Sequence, residues 1–204
     1  MGLYSRFVFP RLCDFVLDRP FVAEHRRKLL ANVGGEILEI GFGTGLNLPH
    51  YPPHVRRITV VDPSEGMLRR AWKRIGRCAI EVDERKISGE QLPFDDSAFD
   101  CVVSTFTLCS IDDVQRAIRE IHRVLKSGGR FLFLEHGLSP EPIVRKWQLR
   151  LNRLERLLAD GCRLDRDMRA IVAGQPFESI EIENFYLEKT PRTHGYMFRG
   201  TATK

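Results

Sequence analysis

Three alternate glycines in Glu39-Ile40-Gly41-Phe42-Gly43-Thr44-Gly45 follow directly on a short apolar run. Glycines there let the backbone turn tightly and approach a ligand with no Cβ in the way. Alone, such a loop serves a dinucleotide, a nucleoside or nothing. The spacing is GxGxG rather than GxGxxG, so the pyrophosphate fingerprint fails. Glu39 at the entrance repels a pyrophosphate but attracts a cation such as a sulfonium or an α-amino group. Asp62 ends a second β-branched run, 23 residues beyond Glu39, where a carboxylate can accept two hydrogen bonds from a ribose diol. The plain alternative is a tight turn with two solvated acids.

The elements around these residues must form a strand-loop-helix unit. Glu36–Ile40 is the strand before the loop, Arg57–Asp62 the second strand, and Ser64–Ile75 a helix with Met67, Leu68, Ala71 and Ile75 on one stripe. A third strand over Ile80–Ile87 is heavily charged, which suits a sheet edge. Phe99–Leu108 and Arg130–Glu135 give the fourth and fifth. Between them Val114–Leu125 has a helical period stopped by Ser127-Gly128-Gly129. Strands alternating with helices predict a doubly wound α/β fold with parallel pairing. Two closely spaced last strands, 179–187 and 196–203, must pair antiparallel, which reverses the final strand. Two further regions lie outside the sheet. Leu3–Leu30 reads as two amphipathic helices interrupted near Pro10 and Pro20. Beyond Pro142 a long helix is expected to turn Ile143, Trp147, Leu151, Leu154 and Leu158 inward and its arginines outward.

All 204 residues read as one domain: N-terminal lid helices over 1–32, a cofactor-binding core over 33–137, and a substrate cap with the final strands over 138–204. A composition of 43% hydrophobic and 29% charged residues excludes disordered and low-complexity classes. No uncharged apolar run approaches the ~18 residues of a membrane span. A net charge of +5 permits contact with anionic lipid or nucleic acid without requiring either. Five scattered cysteines with no CxxC pair show neither metal-ligand nor disulfide-framework spacing. Reduced thiols in the cytoplasm are the expectation.

Four segments together resemble the class I S-adenosylmethionine-dependent methyltransferases: Glu39–Gly45; Asp62-Pro63-Ser64 through Met67-Leu68; Leu92-Pro93-Phe94 through Phe99-Asp100; and Arg119–Arg130. The resemblance implies a seven-stranded Rossmann-like sheet with S-adenosylmethionine across the carboxyl ends of strands one, two and four, leaving S-adenosylhomocysteine as product. It places Glu39, Gly41, Phe42, Gly43, Thr44, Gly45 and Asn47 around the methionine half. Asp62 takes the ribose and Met67 packs near the adenine, with Pro63 and Ser64 also at the cofactor, and the end of strand four, with Thr105 and Phe106, faces the methyl. Many members carry an Asp that caps the adenine amino group where Ser88 stands here. Adenine recognition is thereby left to Ser88, to Glu90 or to backbone groups about Gly89.

No Asn/Asp-Pro-Pro-aromatic sequence follows the fourth strand, which argues against nucleic-acid and glutamine acceptors. A narrower resemblance joins Gly45-Leu46-Asn47, Tyr51-Pro52, Leu108-Cys109-Ser110, Glu135-His136, Asp160-Gly161-Cys162 and Gly195-Tyr196 to the microsomal thiol methyltransferases and their bacterial relatives. It implies a small-molecule acceptor, an alkyl thiol or hydrogen sulfide. It departs at the N-terminus, where animal members carry an apolar membrane anchor. A quinone or phospholipid headgroup is the alternative acceptor, and a non-catalytic cofactor-binding protein the alternative class. Peripheral membrane contact would suit the former, because Phe7, Phe9 and Phe15 alternate with arginines. Nothing in the sequence specifies an oligomeric state.

A thiol with its ordinary pKa of ~8.5 is only a few per cent ionised at neutral pH, so a base would help. His136, at the end of the fifth strand, and His194, beside Gly195, are the catalytic candidates. Cys109 reads as pocket lining and Cys162 as packing at a turn, since one-step transfer from a sulfonium needs no covalent enzyme intermediate. No metal is expected.

Overall fold

The computed structural model describes residues 2–204. Its seven-stranded sheet has the order β3-β2-β1-β4-β5-β7-β6. The strands are β1 Ile37–Ile40, β2 Arg57–Val61, β3 Glu81–Arg85, β4 Phe99–Thr105, β5 Leu125–His136, β6 Ser179–Tyr186 and β7 Tyr196–Thr203. Strands β1 to β5 pair parallel, and β7 runs antiparallel to both its neighbours. β1 lies inside the sheet between β2 and β4 with all four residues buried, whereas β3 is the charged edge that its composition predicted.

Alternation along the strands divides the core between the two faces. Leu38, Ile40, Val102, Phe131 and Phe133 pack on one side against helix α4 (Val114–Val124). Ile37, Ile58, Val60, Val103 and Leu132 pack on the other against α2 (Pro20–Leu30) and α3 (Glu65–Ile75). Ser64 caps α3 by accepting the Met67 N–H, and Asp113 caps α4 by accepting the Arg116 N–H. The chain winds outward from β1 to β3, returns through β4, and winds the other way. A crevice therefore opens where β1 and β4 end, the place where sheets of this kind take ligands.

Several local expectations are corrected. Pro10 does not interrupt the first helix: α1 (Phe9–Leu17) carries it in the first turn, where its missing N–H costs nothing, and a π-helical turn over Tyr4–Val8 leads in. α4 ends at Val124 and β5 begins at Leu125, so Gly128 and Gly129 lie within a strand rather than stopping the helix. β4 stops at Thr105, because Phe106 takes a left-handed φ of 53°. The largest correction concerns α5 (Pro142–Leu158). Ile143 is 75% exposed, Trp147 50% and Leu154 53%, while Val144 and Gln148 face inward. Gln148 decides the orientation by accepting the Ser139 N–H and donating to the carbonyls of Gly137 and Thr193, buried groups that need partners. On α1, likewise, Leu12, Phe15 and Val16 stay exposed and Cys13 and Leu17 turn toward the sheet. Among the described residues no helix is long and apolar enough to cross a membrane.

Candidate active site

The glycine loop leaves β1 and folds against the end of β2. Gly41 has φ 70°, and a Cβ there would stand 2.0 Å from the Thr107 hydroxyl oxygen, so only glycine fits. Gly43 has φ 59°, and a Cβ there would meet only the Gly41 carbonyl oxygen, at an ordinary 3.8 Å. Asp62 accepts the Gly43 N–H at 2.8 Å and the Ser64 N–H at 2.8 Å. Burial nonetheless pushes its carboxyl up to about 6, opposed by those two bonds.

Beneath the loop lies a buried polar network. Glu39 accepts from the Asn47 amide at 2.8 Å and from the Tyr51 hydroxyl at 2.7 Å, which occupies both carboxylate oxygens. Its pKa is pushed up to about 7 by burial, against these two hydrogen bonds and the charge of Arg26. Arg26, on α2, is 3% exposed and donates to Asn47 at 2.6 Å and to the Thr105 hydroxyl at 2.8 Å. Its Nε is buried with no partner. Burial lowers its pKa to about 10, which still leaves it charged at neutral pH.

A small cavity of about 70 Å³ lies between these groups, lined by Gly41, Gly43, Thr44, Met67, Arg26 and Phe106, and closed on its outer side by Cys13 and Leu17 of α1. Asp14 of α1 is tied to the Thr44 hydroxyl and to Arg70 and Arg74 on α3. A second cavity of about 400 Å³ shares Cys13, Leu17 and Phe106 with the first. Its walls are mainly apolar, from Phe9, Leu12, Val16 and Leu187, and Cys109, His136, Cys162, Glu155 and His194 also line it. The His194 ring lies 3.1 Å from the Glu155 carboxylate, a contact that holds that carboxyl below its ordinary range. His136 Nε2 lies 3.0 Å from Cys162 Sγ. Cys109 is pulled below the usual thiol value, foremost by the Cys162 thiol donating to it and, against burial, by His136.

A profile described as a methyltransferase domain matches residues 38–133. The human thiol S-methyltransferase TMT1A is 31% identical over 86% of this chain and 78% of its own. A phosphatidylethanolamine N-methyltransferase of Cereibacter sphaeroides is 32% identical over 85% and 83% respectively. The chain belongs to the S-adenosylmethionine-dependent methyltransferases. A Thermotoga maritima structure described as such a methyltransferase, possibly acting on histamine, shares the fold: TM-score 0.69 at 22% identity, covering 98% of each chain.

The methyltransferase's own residues fit this cofactor. Gly43 leaves room beside the loop, Asp62 presents a buried carboxylate at the end of β2, and the buried Arg26 Nε–H has no acceptor. At about 70 Å³ this cleft is smaller than the ~300–1,000 Å³ of an ordinary ligand site, and it adjoins the larger cavity. Met67, Thr44, Gly41 and Gly43 line the cleft, with Phe106 at its junction with the larger cavity. Gly45 instead packs inward on Leu48 and Phe42, and Asn47 and Thr105 hold Arg26 in place. Pro63 is exposed. On the adenine side Gly89 lies against Ile40, Ser88 accepts the Glu90 N–H, and the Glu90 carboxylate is spent on the Asp113 N–H. Both sequence-predicted histidines reach the larger cavity. Arg26 and Glu155 were missed: each sits on an unremarkable helical stretch, and only the fold brings it to the crevice. The meeting of Cys109, His136 and Cys162 was missed as well, since two turns and the end of β5, far apart in sequence, bring them together.

Proposed function

We propose that this methyltransferase carries the methyl group to a small alkyl thiol or sulfide. The observation that carries the reading is the larger cavity. Apolar walls suited to an alkyl chain lead to sulfur and imidazole groups, and Phe106 is common to this cavity and the cofactor cleft. The relatives named as thiol S-methyltransferases point the same way. S-adenosylmethionine, when bound, supplies a methyl group on a positively charged sulfur. What the chain must add is alignment and a deprotonated acceptor. His194, oriented by Glu155, takes the acceptor proton in this reading. His136, whose Nε2 faces Cys162, orders the inner end of the cavity. Arg26 takes the methionine carboxylate, and Asp62 takes the ribose.

Helix α1 acts as the lid. It covers the cleft now through the ties of Asp14, and its return over a bound cofactor would exclude water from both cavities. The test of the acceptor is formation of S-adenosylhomocysteine with and without ethanethiol or sulfide. Acceptor-dependent turnover supports the reading. Tight cofactor binding by calorimetry with no turnover on any thiol sinks it.

One observation favours a second reading, an acceptor presented by a lipid surface. Phe7, Phe15, Ile143, Trp147, Leu154 and Leu158 are exposed, and Arg6, Arg11, Arg150 and Arg153 stand among them. The two segments are continuous, since the Tyr4 hydroxyl donates to the Leu158 carbonyl and Ser5 to Asp160. Such a face suits the boundary of an anionic bilayer. Salt-sensitive co-sedimentation with anionic vesicles, together with turnover on a quinone or phospholipid, would favour it.

A further inference from the structure

The geometry points to a metal site at the inner end of the acceptor cavity: Cys109, His136 and Cys162 hold a zinc-like divalent cation whose fourth position takes the acceptor sulfur. This rests on the thiol-acceptor reading above. The two cysteine Sγ atoms and one imidazole nitrogen all lie within 4.8 Å of one another, and all three residues are buried. A tetrahedral ion with metal–sulfur bonds of ~2.3 Å and metal–nitrogen bonds of ~2.0 Å separates neighbouring donors by roughly 3.5–3.8 Å. His136 Nε2 and Cys162 Sγ stand 3.0 Å apart, so this pair would open by about half an ångström around an ion. Sulfur and imidazole together select zinc over magnesium or calcium.

The backbone prepares this meeting. Asp160 and Gly161 are both left-handed, φ 48° and 93°, immediately before Cys162. Strain of that kind at a non-glycine residue persists only where the surroundings enforce it. The turns bearing the two cysteines are stitched together, since the Arg163 N–H donates to the Cys109 carbonyl at 3.0 Å. The Arg166 guanidinium clamps the same turn through the carbonyls of Leu108 and Ile111. His136 arrives on the last residue of β5, a fixed strand. Three rigid elements thus deliver three donors to one point, and the remaining side of that point opens on the cavity.

The chemistry balances without an oxidant. Each cysteine thiol loses its proton to solvent as its sulfur–metal bond forms, and His136 enters as the neutral ring. An acceptor thiol entering the fourth position gives its proton to His194, and its sulfur becomes a metal-bound thiolate. A catalytic zinc keeps such an open position, whereas a structural one fills it with a fourth protein ligand.

The test is titration of the reduced, chelator-treated full chain with Co²⁺, a spectroscopic stand-in for zinc. We expect one equivalent to bind with thiolate-to-cobalt charge-transfer bands and the intense visible bands of a tetrahedral ion. Zinc should displace it. Cys109→Ser and Cys162→Ser should remove most of the charge-transfer intensity, His136→Asn should weaken binding about tenfold or more, and Cys78→Ser should change nothing. Circular dichroism reports whether each variant is folded. Ethanethiol should alter the visible bands of the wild-type cobalt protein. Absence of these bands in folded wild type overturns the site, as does their survival in the Cys109 and Cys162 variants. A 109–162 disulfide that forms in the presence of equimolar zinc also overturns it, in favour of a redox pair. Undiminished thiol turnover by the metal-free enzyme removes the site's role and leaves the thiol reading standing. Cobalt binding without turnover on any thiol does the reverse.

Discussion

The Asp62 carboxylate accepts the Gly43 N–H at 2.8 Å, so the acid at the end of β2 holds the glycine loop at the end of β1. The same group is the ribose ligand of the proposal, and it is nearly dry. Asp62→Ala should weaken S-adenosylmethionine binding by about 1–3 kcal/mol in calorimetry. Unchanged affinity would remove the ribose role.

The elevated pKa values give two opposite pH dependences. Asp62 sits at about 6 and Glu39 at about 7, both above their ordinary values. The folded chain therefore holds protons that the unfolded chain has released, and this contribution to stability is full below the ordinary values and lost as pH rises through 6 and 7. The melting temperature of the cofactor-free protein should fall over that window, less so in Asp62→Asn. Cofactor affinity should run the other way, weakening below about pH 6 as the ribose acceptor is protonated. A pH-independent affinity in wild type would contradict the assignment.

Among the described residues, Arg26 carries the one buried guanidinium N–H that lacks a partner. Arg26→Met should lower S-adenosylmethionine affinity at least about tenfold, a charge-assisted bond being worth about 1.5–3 kcal/mol. Binding of 5′-methylthioadenosine, which has no carboxylate, should change little. Equal losses for both ligands would make Arg26 a structural residue only.

His194→Ala should cut thiol methylation more at about pH 6.5 than at about pH 9.5, where an alkyl thiol ionises without help. Glu155→Gln should show the same trend more weakly. An equal loss at both pH values would take the base role from the pair.

Asp14 ties α1 to Thr44, Arg70 and Arg74. Asp14→Asn should speed cofactor release in stopped-flow measurements while leaving the fold intact. Release that is no faster than in wild type would show that α1 is not the gate.

Much of the cofactor half was legible because its signals are local. The glycine loop, Asp62 and the capping Ser64 lie within a continuous strand-loop-helix stretch, where spacing maps directly onto geometry. The charged β3 announced its edge position in the same way. Helix α5 was misread for a different reason. Its apolar period predicts a buried face, yet the buried line is chosen by Gln148, whose three partners lie 9, 11 and 45 residues away. The acceptor end resisted reading likewise, since Cys109 and Cys162 come from two separate turns and His136 from the end of β5.

The place of β7 has a consequence for how the chain is made. β7 is the last strand in sequence, yet it lies between β5 and β6. On the ribosome, β5 must wait with an open edge until residues 196–203 have emerged, and β6 has no neighbour at all until then. The sheet closes by insertion rather than by addition at its rim. The interval before insertion, when β5 can pair with a stranger, is when a nascent chain of this fold most needs a chaperone.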